Sequence, residues 1–156
     1  MPSLLAVDLG LRTGLAAYGP DGRLLWYRSR NYGSRSRLRS AAASLLREYR
    51  ETTHLVVEGG GDLAVPWQKA AERAGVVPQF LDAHTWRTVL LLPREQRSGA
   101  LAKQAADRLA RKVIAWSGAT RPTSLRHDAA EAILVGLWAV LDLGWLSRLP
   151  AELAPG

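Results

Sequence analysis

Residues 3–30, SLLAVDLGLRTGLAAYGPDGRLLWYRSR, decide the fold. Residues 3–8 form an apolar run that ends in an acid, and residues 13–19 and 23–30 follow as two further candidate strands. The strong turn signal Pro20-Asp21-Gly22 separates the last two. Three short strands joined by tight turns predict an antiparallel meander.

The rest of the chain alternates between helical and extended patterns. We predict strands over 53–58 and 76–81, and helices over 36–50, 66–74, 84–91, 98–116 and 127–143. The inward stripes of the last two helices are predicted to be Leu101, Ala105, Leu109, Val113 and Trp116, and Ala130, Ile133, Leu134, Leu137 and Leu141. This order predicts an α/β fold in which two crossover strands extend the three-strand antiparallel meander to a mixed five-stranded sheet, with helices on both faces.

The length of 156 residues fits one domain, over 1–147, and a short Pro-rich tail over 148–156. The chain has no cysteine, which excludes disulfides, thiolate zinc sites and cysteine nucleophiles. Its first residues lack the basic segment of a signal peptide, and no run approaches the roughly 18 apolar residues of a membrane span. We therefore expect a cytoplasmic protein with no membrane partner.

The charge balance is strongly basic, with a net charge of +7 and a pI of about 10.5. A basic domain of this size often binds a polyanion. Of the 21 basic residues, 18 are Arg, and the guanidinium group binds phosphate oxygens in a bidentate way. A GC-rich coding sequence would also favour Arg, so the net charge is the stronger of the two indications of a nucleic-acid partner.

Four acids stand at positions that suggest a common site. Asp8 closes the first apolar strand, and Glu58 closes the fourth. Ligands of such sheets bind beyond the carboxyl ends of the strands. Asp128 and Glu131 are three residues apart, which puts them on one face of the first turn of the last helix. Taken singly, each acid could instead end a strand, pair with an Arg or complement a helix dipole.

Partly buried carboxylates are unfavourable unless a partner neutralises them, and several together raise one another's pKa. A hard cation removes both problems, because Mg²⁺ and Mn²⁺ take oxygen ligands. Two such ions about 3.5–4 Å apart can stabilise the attacking and the leaving oxygen of a phosphodiester. The four acids alone therefore predict metal-dependent phosphodiester cleavage.

Four segments together resemble the RuvC-like Holliday junction resolvases of the RNase H-like superfamily. AVDLGLRTG at 6–14 resembles the family's first strand and turn, and HLVVE at 54–58 its fourth strand. SGALAKQA at 98–105 is similar to the Gly-x-x-x-Lys helix start, and RHDAAEAIL at 126–134 is similar to the last helix. The last acid is Glu where many relatives have Asp, and the segment after Glu58 is shorter than usual.

The resemblance implies a structure-selective endodeoxyribonuclease that resolves four-way DNA junctions in recombination and repair. Asp8, Glu58, Asp128 and Glu131 would be its catalytic residues and would hold two Mg²⁺ or Mn²⁺ ions per active site. Hydrolysis would leave 5′-phosphate ends. Symmetric cutting of a junction needs two active sites, so the resemblance implies a homodimer, from a bacterial or phage-infected cell.

Further residues are candidates for contacts with metal or DNA. His127 precedes Asp128 and is a possible metal ligand, acid–base group or phosphate contact, or an ordinary polar residue at a helix start. Lys103 matches the family lysine that would approach the scissile phosphate. The remaining DNA-binding candidates are basic loop residues and aromatic residues that could stack on unpaired bases, namely Arg12, Arg35, Arg37, Arg39, Arg94, Arg97, Trp67 and Trp86.

Three other functions compete with this interpretation. A ribonuclease acting on RNA–DNA hybrids is disfavoured because residues 36–50 carry their only acid, Glu48, near the end of the helix. An actin-like or sugar-kinase ATPase would share the Asp-x-Gly-x-x-Thr-Gly pattern of residues 8–14, but would need two such domains. A junction-binding protein without activity would keep the basic surface and lose an acid, whereas all four are present.

Overall fold

The computed structural model describes residues 3–155, so residues 1–2 of the predicted domain and residue 156 of the predicted tail lie outside the described residues. The strands are β1 (Ser3–Asp8), β2 (Arg12–Tyr18), β3 (Leu24–Asn31), β4 (Thr52–Glu58) and β5 (Val77–Leu81). The α-helices are α1 (Arg35–Glu48), α2 (Ala64–Ala74), α3 (Ala83–Leu90), α4 (Gly99–Ser117) and α5 (His127–Asp142). Single 3₁₀ turns occupy Gly61–Leu63, Pro93–Gln96 and Ala151–Leu153.

The five strands form one mixed sheet in the order β3-β2-β1-β4-β5. Strand β2 pairs antiparallel with both β1 and β3. Strand β4 pairs parallel with β1, and β5 pairs parallel with β4. The predicted α/β class and the meander with two crossover strands are therefore confirmed. Most observed bounds lie within one or two residues of the predicted ones.

Side chains alternate across the sheet and create two cores. Leu5, Val7 and Leu15 point to the face that α1 and α2 cover. Leu4 and Ala6 point to the opposite face, which packs against α3, α4 and α5. Asp8 is two residues beyond Ala6 on the same strand, so its side chain points to the same face of the sheet as Leu4 and Ala6, which is the face covered by α5.

Helix α5 lies across β1 and β2 at a very short distance. A Cβ atom on Gly14 of β2 would come within 1.8 Å of the carbonyl oxygen of Asp128, and one on Gly136 within 2.2 Å of the Tyr18 ring. The Tyr18 hydroxyl in turn donates a hydrogen bond to the carbonyl of Ile133. These contacts fix the first turn of α5 directly over the start of β2, beside the end of β1.

One prediction about helix α4 needs correction. Leu101 was expected on the inward stripe of α4, but its side chain is 42% exposed. The buried stripe is dominated by alanines at 102, 105, 106 and 110, which let α4 approach α5 closely. The Pro-rich tail contains a 3₁₀ turn at Ala151–Leu153, and Leu153 is fully buried in the same core as α4.

None of the helices within residues 3–155 combines the length and the apolar character needed to span a bilayer.

Candidate active site

The first pair of acids is aligned by strand register. Asp8 and Glu58 are direct partners in the parallel pairing of β1 with β4. Adjacent strands lie about 4.8 Å apart, so both carboxylates meet at the same edge of the sheet. They share a hydrogen bond, and burial, this bond and the negative charges of Glu58, Glu131 and Asp128 raise the pKa of Asp8 to about 9. In the absence of a metal ion, the Asp8 carboxyl group therefore keeps its proton at neutral pH.

The second pair of acids comes from the first turns of α5. Glu131 is almost fully buried, and burial and the charge of Glu58 raise its pKa to about 7. One of its oxygens, Oε2, is buried without a hydrogen-bond partner in the described part of the chain. Asp128 is less buried, and its Oδ1 accepts the backbone N–H of Ala129 at 2.8 Å. All four acids thus influence one another across a single edge of the sheet.

Helix α3 supplies two donors to these acids. The indole Nε1 of Trp86 donates to Oε1 of Glu58 at 2.7 Å, although the ring is fully buried. The next residue, Arg87, donates from Nη2 to Oε1 of Glu131 at 3.3 Å. Neither role was predicted, and the only signal was the spacing of Trp86 and Leu90, which puts both on the buried face of α3.

Strand β3 contributes a hydroxyl group. Ser29 pairs with Gly14 in the register of β2 and β3, directly below the start of α5. Its Oγ donates to Oδ2 of Asp128 at 3.0 Å. Because Gly14 has no side chain, Ser29 can reach the carboxylate, a contact that the sequence pattern alone did not predict.

His127 and Lys103 border the site on its open side. The His127 Nε2 atom lies 2.9 Å from Oε1 of Glu131. Burial and the positive charges of Lys103 and Arg87 lower the pKa of His127. A shallow cavity of about 440 Å³ extends from His127 along α4, past Lys103 and Arg108. The surface beside His127 is therefore lined mainly by polar and basic side chains.

The donor set suits a hard divalent cation, because it consists of four carboxylates with one buried oxygen that has no partner. Nevertheless, within residues 3–155 no three His, Asp or Glu side chains converge as the ligands of one ion do. The carboxylates instead accept hydrogen bonds from Trp86, Ser29 and Arg87. The carboxylates are therefore suitable metal ligands, but in the observed conformation three of them accept hydrogen bonds from protein donors instead.

Comparison with solved structures identifies the architecture. RuvC of T. thermophilus in complex with a Holliday junction substrate superimposes with a TM-score of 0.60 at 16% identity, over 93% of this chain and 98% of that one. The chain has the RuvC-like fold. At this identity the likeness concerns the fold alone, and no family model or curated relative matches the sequence.

Two weaker structural likenesses accompany this RuvC-like fold. The yeast mitochondrial Holliday junction resolvase gives a TM-score of 0.38 at 14% identity, over 90% of this chain and 82% of that one. A simian T-cell lymphotropic virus intasome bound to a phosphatase regulatory subunit gives 0.37 at 11% identity, over 99% of this chain and 52% of that one. Scores this low carry no argument.

The residues predicted to contact DNA differ in their exposure. The side chains of Arg12, Arg35, Arg37, Arg97 and Lys103 are all exposed, as DNA contacts require. The interpretation of Trp67 and Trp86 as base-stacking residues is wrong for this structure, because both indoles are fully buried. Trp67 packs between α1, α2 and the sheet, and Trp86 contacts Glu58.

Proposed function

We propose that this chain is a metal-dependent endonuclease that cuts branched DNA, with four-way junctions as the preferred substrate. The observation that carries this proposal is the in-register pair Asp8 and Glu58, opposed by Asp128 and Glu131 at the open edge of a RuvC-like sheet. The junction substrate comes from the likeness to RuvC, which was solved with such a junction. The basic net charge of +7 supports a DNA partner.

Asp8, Glu58, Asp128 and Glu131 would hold two Mg²⁺ or Mn²⁺ ions, with His127 as a possible additional ligand. When bound, such ions lower the pKa of a coordinated water and neutralise charge on the oxygens of the scissile phosphate. Asp128 and Glu58 now accept hydrogen bonds from Ser29 and Trp86, respectively. To bind the ions, these carboxylates would either give up those hydrogen bonds or keep them while also coordinating the metal.

The residues around the acids suit the reacting phosphate. Lys103 and Arg87 place positive charge beside Glu131 and His127, which is where a phosphodiester would approach. His127, neutral because of its lowered pKa, can accept a proton from water or return one to the leaving oxygen. Departure of a 3′ oxygen would leave a 5′-phosphate end. Arg12, Arg35, Arg37 and Arg97 would contact phosphates away from the reaction.

A second candidate function is junction binding without cutting. It is favoured by the hydrogen bonds that occupy the acids and by the lack of a three-ligand cluster within residues 3–155. Both functions predict tight binding to a junction, so binding alone does not separate them. They differ in the response to a divalent ion.

The test uses an end-labelled four-way junction and a linear duplex of the same sequence, each incubated with Mg²⁺, Mn²⁺ or EDTA. We expect paired nicks in the junction with either metal, ends that a ligase can reseal, and no product in EDTA. Asp8→Asn should abolish cutting and leave binding intact. Binding in EDTA with no nick after metal addition would support the second candidate, and equal cutting of the linear duplex would exclude junction selectivity.

A further inference from the structure

Helices α1 and α2 pack side by side and enclose a groove on the face of the sheet opposite the acids. Its wider part has a volume of about 450 Å³, and a narrower part of about 250 Å³ continues it. The two parts share Arg39, Pro66 and Lys69, so they form one channel, which we call the α1–α2 groove.

The charged side chains that line the α1–α2 groove are almost all basic. Its charged side chains are five cations and one carboxylate, namely Arg35, Arg39, Arg47, Lys69, Arg73 and Asp62. Asp62 pairs with Arg35 at 2.7 Å, with both side chains largely exposed. Within residues 3–155 the other four cations make no salt bridge. An exposed pair such as Arg35–Asp62 contributes little energy, so Arg35 can exchange this partner for another anion.

The cations form two rows that follow the helix axes. Arg35, Arg39 and Arg47 are separated by four and eight residues, so they lie on one side of α1. At 1.5 Å per residue this row extends for about 18 Å. Lys69 and Arg73 form the matching row on α2. Between the rows lie the small residues Ala43 and Ala70 and the hydroxyls of Ser40 and Ser44.

The α1–α2 groove opens at the edge of the sheet that carries the acids. Helix α2 begins six residues after Glu58, and the narrow part of the groove includes Asp62 from the intervening segment. Helix α1 follows β3, whose Ser29 contacts Asp128. Both helices run away from this edge, so the near end of the groove, at Arg35 and Asp62, lies on the same side of the molecule as the acids.

We propose that the α1–α2 groove binds the phosphate backbone of a DNA duplex arm at a distance from the point of cleavage. The proposal rests on the proposed function, because the arm belongs to the DNA that the four acids would cut. Two rows of cations, four of which make no salt bridge within residues 3–155, complement a polyanion, and serine hydroxyls add hydrogen-bond donors for phosphate oxygens. A second copy in twofold contact here would oppose like charges.

The test compares two double variants with equal loss of charge. Arg47→Gln with Arg73→Gln removes the cations at the distal end of the groove. Arg121→Gln with Arg148→Gln removes two exposed cations outside it. Binding to fluorescent junctions is measured in EDTA over a range of salt concentrations, so cutting plays no part. Thermal melting shows that both variants remain folded.

We expect the groove variant to bind a junction with arms of about 20 base pairs roughly tenfold more weakly at 0.1 M salt. Loss of two phosphate contacts should also lower the slope of log Kd against log salt by about 2. With arms of about 5 base pairs, which at 3.4 Å per pair reach only about 17 Å, the variant should bind like the wild type.

The proposal is overturned if the groove variant and the control variant lose the same affinity, or if the loss is the same with short arms. It is also overturned if the double substitution of Arg47 and Arg73 weakens the binding of poly-glutamate more than it weakens the binding of DNA. If the wild-type protein binds long arms through the groove but never cuts, this proposal stands and the nuclease function is rejected. If the wild-type protein cuts junctions and the groove variant binds DNA as tightly as the wild type, the nuclease function stands and this proposal is rejected.

Discussion

At the scale of single residues, two buried tryptophans differ in one respect. The Nε1 atom of Trp86 donates to Glu58, whereas that of Trp67 is buried without a partner in the described part of the chain. A hydrogen bond to a charged group contributes about 1.5–3 kcal/mol, whereas a buried donor without a partner is destabilising by about 1–3 kcal/mol. The pair therefore separates the loss of a hydrogen bond from the loss of ring volume.

We predict that Trp86→Phe weakens Mn²⁺ binding and junction cutting by 10–100-fold, because Glu58 loses the donor that orients it. Trp67→Phe should leave both within about threefold of the wild type, although it leaves a similar void. Titration calorimetry with Mn²⁺ and single-turnover cleavage provide the two measurements. Equal losses in both variants would mean that Trp86 only fills space, since ring volume is what the two changes share.

The raised pKa values of the acids make a prediction about stability. The pKa of Asp8 rises from an ordinary 3.8 to about 9 and that of Glu131 from 4.5 to about 7, so the folded protein binds these protons more tightly than the unfolded chain. In EDTA, the free energy of unfolding should therefore fall as the pH rises from about 4 towards 9. The contribution of these acids is present at low pH and is lost as they ionise.

Removing one acid should reverse this loss. We predict that Asp8→Asn is more stable than the wild type at pH 8 by about 1–3 kcal/mol, and close to it at pH 4, because an amide is uncharged without the proton that Asp8 has to take up on folding at pH 8. Urea denaturation at both pH values measures the difference. Asp142→Asn, at an exposed acid on the last turn of α5, is the control and should change little. A destabilised Asp8→Asn at pH 8 would contradict the described repulsion.

At the scale of elements, the contact of α5 with β2 positions half of the site. The Cβ of Gly14→Ala would lie 1.8 Å from the Asp128 carbonyl, so α5 has to move away and carries Asp128 and Glu131 with it. We predict a loss of about 1–3 kcal/mol in stability and at least a 100-fold loss of cutting. Gly99→Ala, at the start of α4 with no atom near its Cβ position, should be neutral or slightly stabilising.

The elements also show how far the sequence could be interpreted. Strand ends are marked by local signals, so the alignment of Asp8 with Glu58 was predictable once the meander and crossover were assigned. The contacts of Trp86 and Ser29 were not, because they depend on how helix and strand pack in three dimensions. The prediction that Leu101 lies on the inner face of α4 was wrong for the same reason, because the close packing of α4 requires small alanine side chains on that face.

At the scale of the whole molecule, one chain presents one cluster of acids, whereas resolving a junction requires two cuts. Our proposal therefore implies two copies acting on one DNA, and the α1–α2 groove, with its like charges, is a poor surface for their contact. A supercoiled plasmid with an extruded cruciform reports the number of cuts, because one cut gives a nicked circle and two paired cuts give a linear molecule.

We predict that wild-type protein converts the cruciform plasmid mainly to the linear form. An equal mixture of wild type and Asp8→Asn, allowed to exchange subunits, should then give mainly nicked circles, because half of random dimers contain a single competent site. If the protein acts as independent monomers, the inactive variant competes for junctions and slows cutting. An unchanged ratio of linear to nicked product in the mixture would therefore exclude the dimer, and a matching mixture with Asp142→Asn controls for mixing itself.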